Sequence, residues 1–215
     1  MKNAMIVEDQ KIIRTILEEY INRIDGLQLA ASIEGAEQAY KICEAREINL
    51  ILMDVQTAHR ENGLAAVRKI KKAYPDIKII VVTSLVDAGV LEQAKRFGAD
   101  SLWYKDADEE TLINIIYRTM EGESVFPDGP LVVEVGTAKS TEFTKTELRV
   151  LRCLVKGMTY SKIAEKLNIE VVTVKYHVTN MLQKTNLKNK LQLAVAASNA
   201  KFIVDLADEE EGTDS

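Results

Sequence analysis

Five residues in the first half of the chain could together handle a phosphoryl group: Glu8, Asp9, Asp54, Thr83 and Lys105. Three carboxylates brought close repel one another, and a bound cation relieves the repulsion. Oxygen ligands without neighbouring His or Cys select a hard cation, and Mg²⁺ is the one implied. A hydroxyl and an ammonium complete a phosphoryl-transfer site. The metal and the lysine neutralise oxygens while one carboxylate attacks phosphorus. Singly, each residue has an ordinary reading: an Asp at a strand end as a turn or helix cap, a Lys as a solvated charge. Their joint placement carries the inference, because the five fall in chain order just past, or at the end of, short apolar runs.

Those runs are AMIV (4–7), LQLAAS (27–32), INLILM (48–53), IKIIVV (77–82) and SLWY (101–104). Amphipathic stretches near 10–24, 36–46, 62–74, 87–97 and 108–120 separate or follow them. Five such units in series predict a parallel sheet with helices on both faces. The third and fourth runs are almost wholly apolar, as befits central strands buried on both sides. Right-handed crossovers give a doubly wound sheet whose crevice lies at the carboxyl ends of the strands, where the five residues would meet. Residues 121–140 hold Gly122, Pro127, Gly129, Pro130 and Gly136 and read as a linker. Helical patterns then cover 144–156, 159–167, 171–185 and 189–200. Gly157 suits the end of the first. The organisation expected is a first domain over 1–120, a linker over 121–140, an all-α domain over 141–201, and an acidic, disordered tail over 202–215.

The net charge of −5 conceals an asymmetry. Residues 141–200 carry ten Lys/Arg against four Asp/Glu, whereas the tail after residue 200 carries one against six. A basic block between acidic neighbours suits contact with a polyanion, although a solvated surface would share the composition. Within the block, two helices flank a short turn around Leu167–Glu170. On a helical wheel, Val171, Val174, Val178, Met181 and Leu182 share one arc. Lys175, Thr179, Val172, Gln183, Tyr176 and Asn180 share the other, with His177 beside the packed face. An ordinary bundle helix would give the same wheel; the basic block favours a recognition helix in a major groove. Lys162, Lys166, Lys184 and Lys188, with Thr173, are candidates for phosphate contacts.

Cys43 and Cys153 stand far apart in no metal-ligand spacing, which suits a reducing cytoplasm. Glu8 and Asp9 interrupt any apolar leader, and no run approaches the roughly 20 residues needed to span a bilayer. A cytoplasmic location without membrane contact is therefore expected.

Residues 1–120 resemble the receiver domain of two-component response regulators, a flavodoxin-like fold, through VEDQ (7–10), LILMD (50–54), VVTS (81–84) and GADSLWYKD (98–106). The resemblance implies Asp54 as phospho-acceptor and a sensor histidine kinase as donor. It implies Glu8 and Asp9 as the acid pair, with the Gln56 carbonyl as a further Mg²⁺ ligand. Thr83 would bind the phosphoryl group, Ser84 would leave it room, and Lys105 would pair with its charge. The pattern departs at three places. Thr57 and Ala58 replace the usual Met-Pro. Asn62 precedes the glycine, now Gly63, so the loop QTAHRENG is one residue longer. Leu102 stands at the aromatic switch position.

Residues 142–196 resemble the LuxR/FixJ helix-turn-helix through FTKTELRVLRCLVKGMTYSKIAEKLNI followed by TVKYHVTNMLQKTNL. By resemblance Lys175, Tyr176 and Thr179 read bases of double-stranded DNA, and the last helix is a dimer contact. The implied function is a NarL/FixJ-type regulator, not an enzyme, in which phosphorylation controls homodimerisation and DNA binding. A flavin module would need a phosphate loop after the first run. A haloacid-type phosphatase would need an Asp where Gln56 stands. The alternative kept open is a DNA-binding regulator whose atypical receiver switches independently of phosphorylation.

Overall fold

A computed structural model describes residues 1–85, 88–105, 107–129 and 132–202. The chain divides into two compact units after Gly129. In the first unit the strands are β1 (Lys2–Val7), β2 (Leu27–Ile33), β3 (Leu50–Asp54), β4 (Lys78–Thr83) and β5 (Ser101–Tyr104). The helices alternating with them are α1 (Lys11–Asn22), α2 (Ala36–Ala45), α3 (Gly63–Ala73), α4 (Ala88–Arg96) and α5 (Glu109–Met120). The strand order is β2-β1-β3-β4-β5, all parallel. Chain direction away from β1 reverses between β1 and β3, so the crevice opens beside their carboxyl ends. β3 is buried at every position and β4 at all but its first, Lys78, as two-sided burial of central strands demands.

Local sequence explains the helix starts. Asn62 caps α3 by accepting from Ala65 N at 3.1 Å, and Asp108 caps α5 by accepting from Thr111 N at 2.7 Å. After α5 the chain lies along the edge of β5: Leu102 N donates to Val125 O at 3.0 Å, and Val125 N to Ser101 Oγ at 3.0 Å. Ser101 Oγ in turn meets Thr119 Oγ1 at 2.6 Å, a buried hydroxyl pair that fixes this return.

The second unit starts with a two-strand hairpin, β6 (Glu134–Val135) and β7 (Ala138–Lys139), which helical periodicity did not announce. Four helices follow: α6 (Lys145–Val155), α7 (Tyr160–Leu167), α8 (Val171–Thr185) and α9 (Lys190–Asn199). A capping box between Thr144 and Glu147 starts α6, Thr159 caps α7 and Asn189 caps α9. α7 ends at Asn168 in the left-handed region, φ 52°, which makes the tight turn into α8. One core joins Val135, Ala138, Val150, Leu151, Ile163, Val174, Met181 and Leu193. Phe202, expected in the tail, belongs to this core, with its ring 5.2 Å from that of Phe143. The rest of the expected tail, 203–215, lies outside the described residues. The five-stranded parallel sheet with flanking helices, followed by an all-helical region, is the architecture read from the sequence.

Candidate functional site

Glu8 directly follows β1, Asp54 ends β3 and Lys105 directly follows β5, so strand register alone brings them to the crevice. Glu8 is fully buried, Asp54 is nearly so, and Asp9 is exposed. Carboxylate oxygens of the three acids lie within 4.8 Å of one another. The Lys105 ammonium sits 2.5 Å from Glu8 Oε2 and 2.9 Å from Asp54 Oδ2. Glu8 Oε1 accepts from Gln10 N at 3.0 Å. Oε2 meets Lys105 as an ion pair, but among the described residues no donor is aligned on it for a regular hydrogen bond. Buried carboxylate oxygen in excess of aligned donors is the donor set that a hard cation fits.

Burial pushes the Asp54 carboxyl up, Lys105 pulls it down and Glu8 pushes it up again, leaving it at about 6. Burial pulls Lys105 down, yet Asp54 and Glu8 outweigh that and hold its ammonium above the ordinary lysine value. Thr83 ends β4 fully buried, and its carbonyl accepts from Lys105 N at 2.9 Å. Ser84 is half-buried. Gln56 is exposed, with its N–H 3.5 Å from Asp54 Oδ1. Leu102 is buried in β5, and Trp103 is buried in the core between the sheet and α1 and α5.

The longer loop after Asp54 has a definite construction. Residues Ala58–Arg60 form a 3-10 turn with His59 at φ 60°, which takes up the extra residue. The glycine requirement has moved with it: a Cβ on Gly63 would lie 1.8 Å from the Asp54 carbonyl oxygen. In the Met-Pro positions, Thr57 and Ala58 tie the loop to α2. Thr57 Oγ1 accepts from Ala36 N at 3.1 Å, and Ala58 N donates to Glu34 O at 2.9 Å. Glu61 Oε2 accepts from Glu37 N at 2.9 Å. Gly35 precedes α2 without a side chain to cap it, so the loop supplies the caps. Sequence reading missed Thr57 and Glu61 in this role. The uncapped Gly35-Ala36 start was the available signal.

In the second unit α8 shows the predicted two faces. Val174, Val178 and Met181 are buried, whereas Lys175, Tyr176 and Thr179 are exposed, as is Val172 at 72%. Thr173 and His177 are half-buried. Lys162, Lys166 and Lys188 are exposed. Lys184 is half-buried, and its ammonium donates to buried Glu147 Oε2 at 2.7 Å and to Glu142 O at 2.9 Å. Glu170 precedes α8 without a side-chain cap, and the helix forms nonetheless.

A receiver-type acid crevice joined to a helix-turn-helix defines a class of signalling regulators. The response regulator receiver domain family matches residues 4–117, and the luxR family of bacterial regulatory proteins matches 141–197. The chain belongs to the two-component response regulators of the NarL/LuxR type, and its two domains make it a regulator of transcription. It is 29% identical over 212 residues to the oxygen regulatory protein NreC of Staphylococcus carnosus, covering 93% of this chain and 98% of that one. The response regulator protein VraR of Staphylococcus epidermidis is 29% identical over 207 residues, with the same coverages. The structure of two RcsB dimers bound to two parallel DNAs shares the fold at TM-score 0.61 and 17% identity, covering 92% of this chain and 98% of that one. RcsB of Salmonella typhimurium matches at TM-score 0.58 and 17% identity, covering 92% and 100%. Among the described residues no helix is long and apolar enough to cross a membrane.

Proposed function

We propose that Asp54 accepts a phosphoryl group from a phosphohistidine of a sensor histidine kinase, and that this controls homodimerisation and sequence-specific DNA binding in the cytoplasm. The observation that carries the reading is the Lys105 ammonium held against both Glu8 and Asp54 beside exposed Asp9. An Asp54 oxygen attacks phosphorus while the bond to the histidine nitrogen breaks. Lys105 and the Thr83 hydroxyl stabilise the charge on the transferred oxygens, and Ser84 leaves them room. Glu8, Asp9, Asp54 and the Gln56 carbonyl would hold Mg²⁺, which when bound neutralises phosphoryl oxygens. The new group adds about −1.5 to −2 charge, so a conformation that pairs it with Lys105 and Thr83 gains population. The domain turns over no external substrate. Lys175, Tyr176 and Thr179 read bases, while Lys162, Lys166, Thr173, Lys184 and Lys188 touch phosphates.

The test is incubation with a small phosphodonor and Mg²⁺. Wild type gains an acid-stable, base-labile acyl phosphate, and Asp54→Ala does not; equal labelling of both overturns the acceptor assignment. The second reading, a switch independent of phosphorylation, is favoured by one observation: Leu102, at the switch position, is a buried aliphatic residue held in β5. DNA affinity unchanged between wild type with phosphodonor and Asp54→Ala would select it.

A further inference from the structure

The C-terminal end of α8 is held by a residue far away in sequence. A helix leaves its last four carbonyls without intrahelical donors. In α8 two of these are met locally: Leu182 O accepts from Leu187 N at 3.2 Å, and Gln183 O from Asn186 N at 3.4 Å. Among the described residues, Thr137 meets the other two. Its hydroxyl donates to Lys184 O at 3.0 Å and its N–H to Thr185 O at 3.1 Å.

Thr137 and Gly136 are the two-residue loop between β6 and β7. Gly136 has φ +62°, and a Cβ there would lie 2.2 Å from Thr185 O. Both the left-handed backbone and the close approach therefore require glycine. The hairpin itself is anchored by Val135 and Ala138, both buried in the core that includes Met181 of α8 and Leu193 of α9. The next turn of chain adds another hold, since Lys184 reaches Glu142 O and Glu147. Segment 135–147 thus fixes both the axial position and the rotation of α8 at one end. The exposed side chains Lys175, Tyr176 and Thr179 stand nearer its other end. Lys175 is ten residues before Thr185, about 15 Å along the axis.

We infer that Gly136 and Thr137 are positioning residues for DNA reading: the β6–β7 loop indexes α8, so operator discrimination depends on a hydroxyl remote from the reading face. The inference rests on the proposal that α8 reads bases. A bidentate contact to a base edge demands placement of the donor to within a few tenths of an ångström, whereas a phosphate contact by a flexible lysine does not. Loosening the helix end should therefore degrade discrimination before it degrades general affinity.

The experiment uses the full chain, a duplex selected from a random pool, and a scrambled duplex of equal length, at one salt concentration. Thr137→Val keeps the shape and the N–H but removes the hydroxyl; Thr137→Ser retains it. Thr137→Val is expected to lower the ratio of selected to scrambled affinity by about threefold to tenfold, the scale of one lost hydrogen bond. Scrambled-duplex affinity and its salt slope should hold, and Thr137→Ser should keep the wild-type ratio. Gly136→Ala should lose more. Lys175→Ala is run in parallel. If it lowers the ratio and Thr137→Val does not, the positioning role is overturned while the reading role of α8 stands. If Lys175→Ala leaves the ratio intact, the reading role falls and the inference with it. A parallel fall on both duplexes, with a lower melting temperature for Thr137→Val, also overturns the inference and leaves Thr137 a stability residue.

Discussion

At the strand ends Glu8, Asp54 and the Lys105 ammonium are largely buried and pressed against one another, whereas on α8 Lys175, Tyr176 and Thr179 stand exposed in solvent. Glu8, Asp54 and Lys105 form one contact set, in which Lys105 and Glu8 act on the Asp54 carboxyl and both carboxylates act on the Lys105 ammonium. Lys175, Tyr176 and Thr179 share a face but owe their arrangement to apolar residues on the opposite side of the helix. The first region therefore couples chemistry to stability, and the second separates them. A change in the crevice should be felt in folding as well as in function. A change at Lys175, Tyr176 or Thr179 should leave folding untouched and, if α8 reads bases as proposed, should be felt only when DNA is present.

Lys105→Ala should show the largest effect. It leaves two buried carboxylates without their cation, which costs about 3–5 kcal/mol at neutral pH. Because the folded Asp54 pKa lies at about 6, above the ordinary aspartate value, ionising Asp54 opposes folding as pH rises through that window. Lys105 lowers the Asp54 pKa, so removing it lets the carboxyl protonate above 6; acidification from neutral pH toward 6 should therefore recover part of the loss relative to wild type, as urea unfolding at several pH values would show. A loss independent of pH would mean that Lys105 acts by packing alone. Gly63→Ala comes next, at about 3 kcal/mol, the upper end of overpacking costs. Its Cβ would collide with the Asp54 carbonyl oxygen at 1.8 Å. Unfolding midpoints in urea measure it, and a change of under about 0.5 kcal/mol, usual for an unconstrained surface position, would refute the tight loop.

Inside the second unit, Glu147→Gln tests a buried charge away from the reading face. Burial pushes the Glu147 carboxyl up, but Lys184 and the Thr144 N–H and hydroxyl outweigh that and hold it below the ordinary glutamate value of 4.5. A depressed folded pKa gives stability that is complete above 4.5 and lost as pH falls through the folded value. The variant should lose about 2 kcal/mol at neutral pH. It should also show a flatter stability profile below pH 4.5 than wild type, read by circular dichroism during acid titration. Profiles that fall in parallel would remove the pair from the stability of this unit.

Alternation of apolar runs with amphipathic stretches was enough to place the five-stranded parallel sheet and the carboxyl ends that carry Glu8, Asp54 and Lys105. Such periodicities are set locally, by burial on one or two faces, and so survive in a single sequence. What stayed hidden depends on contacts between distant residues. The β6–β7 hairpin is too short for alternation to register, and only its packing against α8 shows why Gly136 must be glycine. Lys184 read as one more cation in a basic block, because its partner Glu147 lies 37 residues away. Thr57 and Glu61 gave no sign of capping α2 because the helix they cap precedes them by some twenty residues.

The smallest effect on folding, and the sharpest separation of the two regions, is expected for Lys175→Ala. Lys175 is exposed on α8, so truncation should change stability by less than about 0.5 kcal/mol. If the side chain reads a base, affinity for a selected duplex should fall by about 1–3 kcal/mol, and preference at one base position should relax. If it touches a phosphate instead, affinity should fall evenly across sequences and the salt dependence should flatten by about one counterion. Titrations against a set of single-base variants at two salt concentrations distinguish these results. A loss of stability as large as the loss of affinity would contradict the separation itself, because it would show that the reading face carries part of the fold.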